Sequence, residues 1–274
     1  MIYRSYTEGV SFLHRLNPTV KLLSFSLLLM VPTLFLDPAT PASFLILSLS
    51  LAWLLGGISP ANLLCRMAVF LFLSIGLFLF NALFYGGARL KPVFSLGPIV
   101  VYREGISFGA SIVLRLLCVT SYSTIFVKTT DPTLLVTSLI HQGHLPYRIG
   151  YAILTAYRFI PILQRELSHI RDAHKIRGGY REGILARLTR VKRYGIPLLT
   201  NGIRKAERMA ISMDARGFAV QGSRTYYRAP SVQLSDYLFL LATFMIIAAI
   251  LSVLAMFGLL RGFLAGVAES LAVK

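Results

Sequence analysis

Five long apolar runs, at Val20 to Leu36, Ala42 to Gly57, Met67 to Tyr85, Phe108 to Val127 and Tyr237 to Leu260, constrain this chain more than any other feature. Each carries few or no charges. A hydrocarbon core needs about 20 apolar helical residues, and fewer where flanking groups reach the interface. With 55% apolar and only 14% charged residues among 274, the expected solvent is a bilayer. The first run follows a polar segment and meets Asp37-Pro38 with no small-residue cleavage site before it, so a retained helix is expected there and not a cleaved signal. Cys65 and Cys118 lie at the edge of one run and inside another, which suits packing residues and not a disulfide framework.

The excess of 17 positive charges is concentrated. Between Lys128 and Pro230 stand 18 Lys or Arg against 6 Asp or Glu, so +12 of the +17 falls in that segment. Basic loops stay on the cytoplasmic side, with weaker force for long segments. Five spans then place the N-terminus and the basic segment inside and the C-terminus outside. Arg4, Arg15 and Lys21 before the first span agree, as does Arg66. The loop from Gly86 to Ser107, expected outside, runs against the rule with Arg89, Lys91 and Arg103 opposed only by Glu104. Attraction to anionic head groups accounts for the basic segment better than nucleic acid does, because the cations interleave with apolar residues in helical order and regularly spaced stacking aromatics are missing.

That order predicts an amphipathic helix from Tyr147 to Arg177, with Ile149, Ile153, Ile160, Leu163, Leu167 and Ile170 on one stripe and a bend expected at Pro161. A second is predicted from Pro197 to Arg216, after a short basic helix over Ile184 to Tyr194. Asp131-Pro132 marks the start of another, Asp as a cap and Pro in the first turn. The two long helices end alike, at Ile176-Arg177-Gly178 and Ala215-Arg216-Gly217. Arg complements the negative end of a helix and Gly takes the left-handed cap conformation. Capping alone explains one such ending. The two endings match more widely than a cap needs, and apolar faces on a single helical layer need a cover, for which an Arg at a helix end suits a protein partner.

These residues resemble the transmembrane T component of energy-coupling factor (ECF) transporters. SFLHRLNPTVKLL is similar to that family's entry into its first span, and AYRFIPIL with the IRG ending and RYGIPLL with MDARGF are similar to its two coupling helices. RTYYRAP before the last run is similar too. The combination spans nearly the whole chain. The resemblance implies a non-enzymatic subunit joining two ATPase subunits, alike or different, to a small membrane S component that captures a vitamin or a transition-metal ion. It implies that Ile176, Arg177, Gly178, Ala215, Arg216 and Gly217 contact the ATPases, and that ATP and Mg are bound by those partners, with no cofactor on this chain. It implies residence in a bacterial or archaeal cytoplasmic membrane. One departure is Ile176, where the family often has a small residue.

The expected fold is all-α: four spans in 1–127, a cytoplasmic coupling-helix module in 128–231, and the last span with its tail in 232–274. The chain lacks a phosphate loop, since the nearest approach, Gly178 to Gly183, continues with Ile184-Leu185, so nucleotide chemistry is expected from a partner. His141 and His144 have a metal-like spacing but no nearby Cys or clear carboxylate partner, and polar or cap roles are expected. Arg115, well inside the fourth run, either pairs with an intramembrane polar group such as Asn81 or snorkels to the interface. Two rivals remain: a membrane-embedded enzyme of lipid metabolism, for which the 11 acidic residues are too scattered, and a channel or solitary carrier, for which the spans hold few polar residues.

Overall fold

The structure is a computed structural model that describes residues 11–84, 92–96, 99–177, 184–218 and 230–258. In chain order it contains α1 (Phe12–Arg15), α2 (Pro18–Leu34), α3 (Ala39–Leu54), α4 (Pro60–Phe84), β1 (Pro92–Leu96), β2 (Ile99–Tyr102), α5 (Arg103–Thr129), α6 (Pro132–Gln142), α7 (Tyr147–Ile176), α8 (Ile184–Ala215) and α9 (Leu234–Met256). The five apolar runs become α2, α3, α4, α5 and α9, with ends shifted by a few residues. The protein is therefore an all-α membrane protein with one small addition. In the loop expected outside, β1 and β2 pair antiparallel, Leu96 opposite Ile99 and Phe94 opposite Val101, with an irregularity between Pro92 and Phe94. That ribbon was not anticipated, because the alternation over these few residues is too short to separate from a loop.

The chain divides into two compact units, Met1–Ile2 with His144–Ala229, and Tyr3–Gly143 with Pro230–Lys274. In the larger unit α5 is the central post: α4, α3 and α2 all pack on it, and α9 and α6 pack on α2. Its core includes Phe25, Phe44, Leu117 and Tyr122, all nearly or wholly buried. Tyr122 stacks at 5.8 Å from Phe25 and donates its hydroxyl to the Phe44 carbonyl at 3.0 Å, so a polar atom in a dry core keeps its bond. Ser48 and Ala52, two of the small residues of α3, are buried, and Ser48 donates to Ser121 of α5 at 2.8 Å.

Helix lengths are uneven. The helices α4, α5 and α9 are long and apolar enough to cross a membrane, whereas α2 and α3 have 17 and 16 residues. At 1.5 Å per residue these two reach about 25 Å, short of a core of about 30 Å. Contacts fix their depth. Lys21 at the start of α2 meets Thr129 at the end of α5, and Phe35 just past the end of α2 meets Arg115. The α2–α3 turn therefore lies twelve residues inside α5, and about 18 Å of that helix extends beyond the turn.

The smaller unit holds α7 and α8, which pack on each other. Both run through a proline. Pro161 lies within α7, and Pro197 lies within α8, where the sequence suggested a separate short helix. A single missing amide in a helix of 30 or 32 residues leaves every other turn bonded, and the shared apolar seam favours continuity over a break. The helix predicted at Asp131-Pro132 forms as α6, with the Asp131 carboxylate accepting from Thr133 N at 2.8 Å. It packs on α2 in the larger unit, so the smaller unit begins at His144.

Candidate coupling site

The long basic helices form an antiparallel hairpin whose register is legible along its length. Near one end Phe218 packs edge-on to Tyr147 and Tyr151, with ring centroids 5.7 and 5.9 Å apart. In the middle the Glu166 carboxylate accepts from Asn201 Nδ2 at 2.9 Å and from Lys205 Nζ at 2.5 Å. Toward the other end His174 lies 5.4 Å from Tyr194. Residue numbers fall on one helix as they rise on the other. Arg177, at the end of α7, and Arg216, at the end of α8, consequently sit at opposite ends of the hairpin. A helix of 30 residues separates them by about 45 Å.

Both side chains are exposed, and so are Ile176 and Ala215. Ile176 is 87% exposed, an apolar knob with no cover beside a cation. The caps themselves are made of backbone. Arg177 N donates to Ala173 O, while Gly178 lies outside the described residues. At the other end Phe218 N donates to Met213 O at 3.0 Å and Gly217 N to Asp214 O at 2.9 Å. This is a Schellman motif, and Gly217 supplies its left-handed residue at φ +75°. Neither guanidinium takes part in these bonds.

Between the helices runs an apolar groove of about 650 Å³ lined by Phe159, Leu163, Leu198, Leu199, Gly202 and Ile203. Ile149, Ile153 and Ile160 on α7, with Leu199, Ile203 and Ile211 on α8, are exposed. The sequence suggested that these faces need a cover, and the hairpin alone does not provide one.

Charge also ties the hairpin. The Lys205 bond, joined by the Asn201 amide, holds the Glu166 carboxyl below its usual range. A depressed carboxyl pKa gives a contribution that is full above the ordinary carboxylate range and lost as pH falls through the folded value. Both side chains keep partial exposure, so screening makes the effect small. Acidification through the carboxylate range is therefore expected to speed protease cleavage within α7 and α8, and Glu166→Gln to show the fast rate at every pH with little further dependence.

Arg115 and Asn81 do not meet. Arg115 Nη2 donates to the Phe35 carbonyl, and the nearby Asp37 carboxylate attracts the guanidinium. Asp37 is itself held by Thr40, whose N–H and hydroxyl donate to Oδ2 at 3.0 and 2.5 Å. Asn81 Nδ2 donates within its own helix, to Leu77 O at 2.8 Å. The arginine thus satisfies the end of a helix that stops short. Sequence reasoning missed Glu166; Phe218 entered it only as the last residue of MDARGF, and its packing on Tyr147 and Tyr151 was not anticipated.

The family described as cobalt transport protein matches residues 9–227. An energy-coupling factor transporter transmembrane protein of Streptococcus thermophilus is 30% identical over 247 residues, 83% of this chain and 89% of that protein. The protein of the same description from Lactococcus lactis is 30% identical over 272 residues, 93% of this chain and 97% of its own. The chain belongs to the family of energy-coupling factor transmembrane components. A third match is to a putative ABC transporter ATP-binding protein of Bifidobacterium longum, 28% identical over 88% of this chain and 32% of that protein. As an ECF transmembrane component, this chain carries both matched helical endings within the region that the family covers.

Proposed function

We propose that this chain is the coupling subunit of an ECF-type importer, passing ATP-driven movement of two ATPase subunits, alike or different, to a substrate-binding S component that takes up a vitamin or a transition-metal ion. The observation that carries this reading is the placing of two exposed Arg endings about 45 Å apart on one stiff hairpin. One docking surface does not span that distance; two subunits do. Arg177 and Arg216 anchor the two contacts with Ile176, Gly178, Ala215 and Gly217 beside them, and the uncovered apolar faces and groove of α7 and α8 receive the S component. ATP and Mg belong to the ATPases, and this chain binds no cofactor. The match to a third of a protein named as ATP-binding supports the association.

In this reading the protein lies in a bacterial or archaeal cytoplasmic membrane, with the hairpin on the cytoplasmic side. ATP binding displaces the two Arg ends, and the helices move as bodies because a packed pair has discrete arrangements rather than continuous ones. The movement is driven only if the ATPases contact those arrangements differently. The test is reconstitution of the native chain with an ATPase pair and an S component in proteoliposomes. ATP-dependent uptake that requires all four chains is expected. Failure of any ATPase pair to co-purify with the native chain would remove the coupling role.

A further inference from the structure

The chain leaves the larger unit at Gly143 and returns to it at Pro230. These two crossing points are tied to each other by side chains at one end of the helices. Gln142 Nε2 donates to Pro230 O at 2.9 Å, and Asn17 Nδ2 reaches Ser231 O at 3.4 Å. Between them stands Ser138, whose hydroxyl accepts from Thr19 Oγ1 at 2.7 Å and donates to Asn17 Oδ1 at 2.8 Å, with Gln142 Oε1 at 3.1 Å as its other acceptor. Asn17 also caps α2 through Thr19 N at 3.0 Å and gives its own N–H to Asp236 of α9 at 2.8 Å. Behind this set Lys21 Nζ donates to Thr129 O, at 3.0 Å, and to Thr130 Oγ1, at 3.2 Å, where α5 ends.

A connection that merely joins two units needs no such set. Exposed, polar, loosely bonded chain serves as a linker, and burial of polar atoms is unfavourable unless every one finds a partner. Here Asn17 is 5% exposed and Ser138 is not exposed at all. A bonded network in a dry setting is stiff, because each bond polarises the next and any slip leaves an orphaned group. Both crossing points are thereby fixed to α2, α6 and α9 at once.

We propose that Asn17, Ser138 and Gln142 are positioning residues of the coupling action: they make a single mount of the two chain crossings, so that a displacement reaching either crossing is passed to α2, α6 and α9 together. This rests on the coupling role proposed above. The mount contacts neither nucleotide nor substrate and acts through the helices it joins.

The experiment reconstitutes the complete complex with native chain, Gln142→Met, Ser138→Ala or Asn17→Ala, and measures recovery of partners, ATP hydrolysis, and substrate taken up per ATP. The variants are expected to recover their partners and to hydrolyse ATP within about twofold of native, while uptake per ATP falls about fivefold for Gln142→Met and tenfold or more for Asn17→Ala. Uptake per ATP at the native level in any variant that assembles overturns the proposal. So does a parallel loss of partners, hydrolysis and uptake in Gln142→Met, which is the mark of a fold-only role. Gln142 is half-buried at the edge of the cluster, so Gln142→Met keeps the test decisive if Asn17→Ala fails to fold. Native chain that never binds an ATPase overturns the coupling role as well, and that result is visible without any variant.

Discussion

Arg177→Ala and Arg216→Ala, combined in one chain, should weaken binding of the ATPase pair by about a thousandfold and leave uptake near background, while the protein keeps its fold. The fold survives because neither cap uses a guanidinium: the bonds run from Arg177 N, Gly217 N and Phe218 N to carbonyls. What alanine removes from each helix is the favourable placing of a cation at its negative end, about 0.3 to 1 kcal/mol. An arginine that anchors a docking surface contributes more, about 2 kcal/mol or above when truncated, or roughly thirtyfold in affinity. The separation of about 45 Å makes the two sites independent, so each single change should cost about thirtyfold and the two costs should add. Binding of the solubilised chain to immobilised ATPase pair measures all four forms. Binding of the double variant at native affinity would mean that the matching Arg-Gly endings are helix caps and nothing more.

The legible parts of this fold were those written in local chemistry. Asp131-Pro132 announced α6 because a cap and a first-turn proline act over four residues. Arg216-Gly217 announced the end of α8 because a left-handed position selects glycine. The apolar runs announced five helices because hydrocarbon demands length. What sequence could not supply was partnership across distance. Lys21 was legible only as one of several cations that set topology, yet it is 1% exposed and holds the end of α5 from 108 positions away. Arg115 was expected either to pair with an intramembrane polar group such as Asn81 or to snorkel to the interface. Its actual partner is a backbone carbonyl, available because α2 ends early, and that ending follows from helix length and not from any residue type. The matched endings suggested one kind of contact made twice, whereas the antiparallel register, set by Phe218, Glu166 and His174, sends them to opposite ends. Pro197 misled in the other direction: it suggested a break between two helices, but a helix of 32 residues carries it.

Asp236→Ala should cost the larger unit about 4 kcal/mol, the largest loss of stability expected from a single side chain here. Asp236 is 2% exposed and uses both oxygens, Oδ1 for Asn17 N and Oδ2 for Gln233 N, each at 2.8 Å. Its charge also acts on the Lys21 ammonium, which itself bonds to Thr129 and Thr130. Alanine therefore orphans two backbone donors and removes a negative charge that acts on Lys21 from beyond contact. Each orphaned group costs about 1 to 3 kcal/mol, and the two together account for the expected loss. Asp236→Asn keeps one acceptor and the shape, so roughly half the loss is expected. The sharper test is the double change Lys21→Met with Asp236→Leu. Lys21 acts on Asp236 only through its charge and also holds Thr129 and Thr130, so Lys21→Met should cost less in the Asp236→Leu protein than in the native one. Thermal unfolding of the four proteins in one detergent measures the coupling directly. Additive losses would mean that Lys21 and Asp236 cap their separate helices without acting on each other, and that the junction is held by its neutral hydrogen bonds alone.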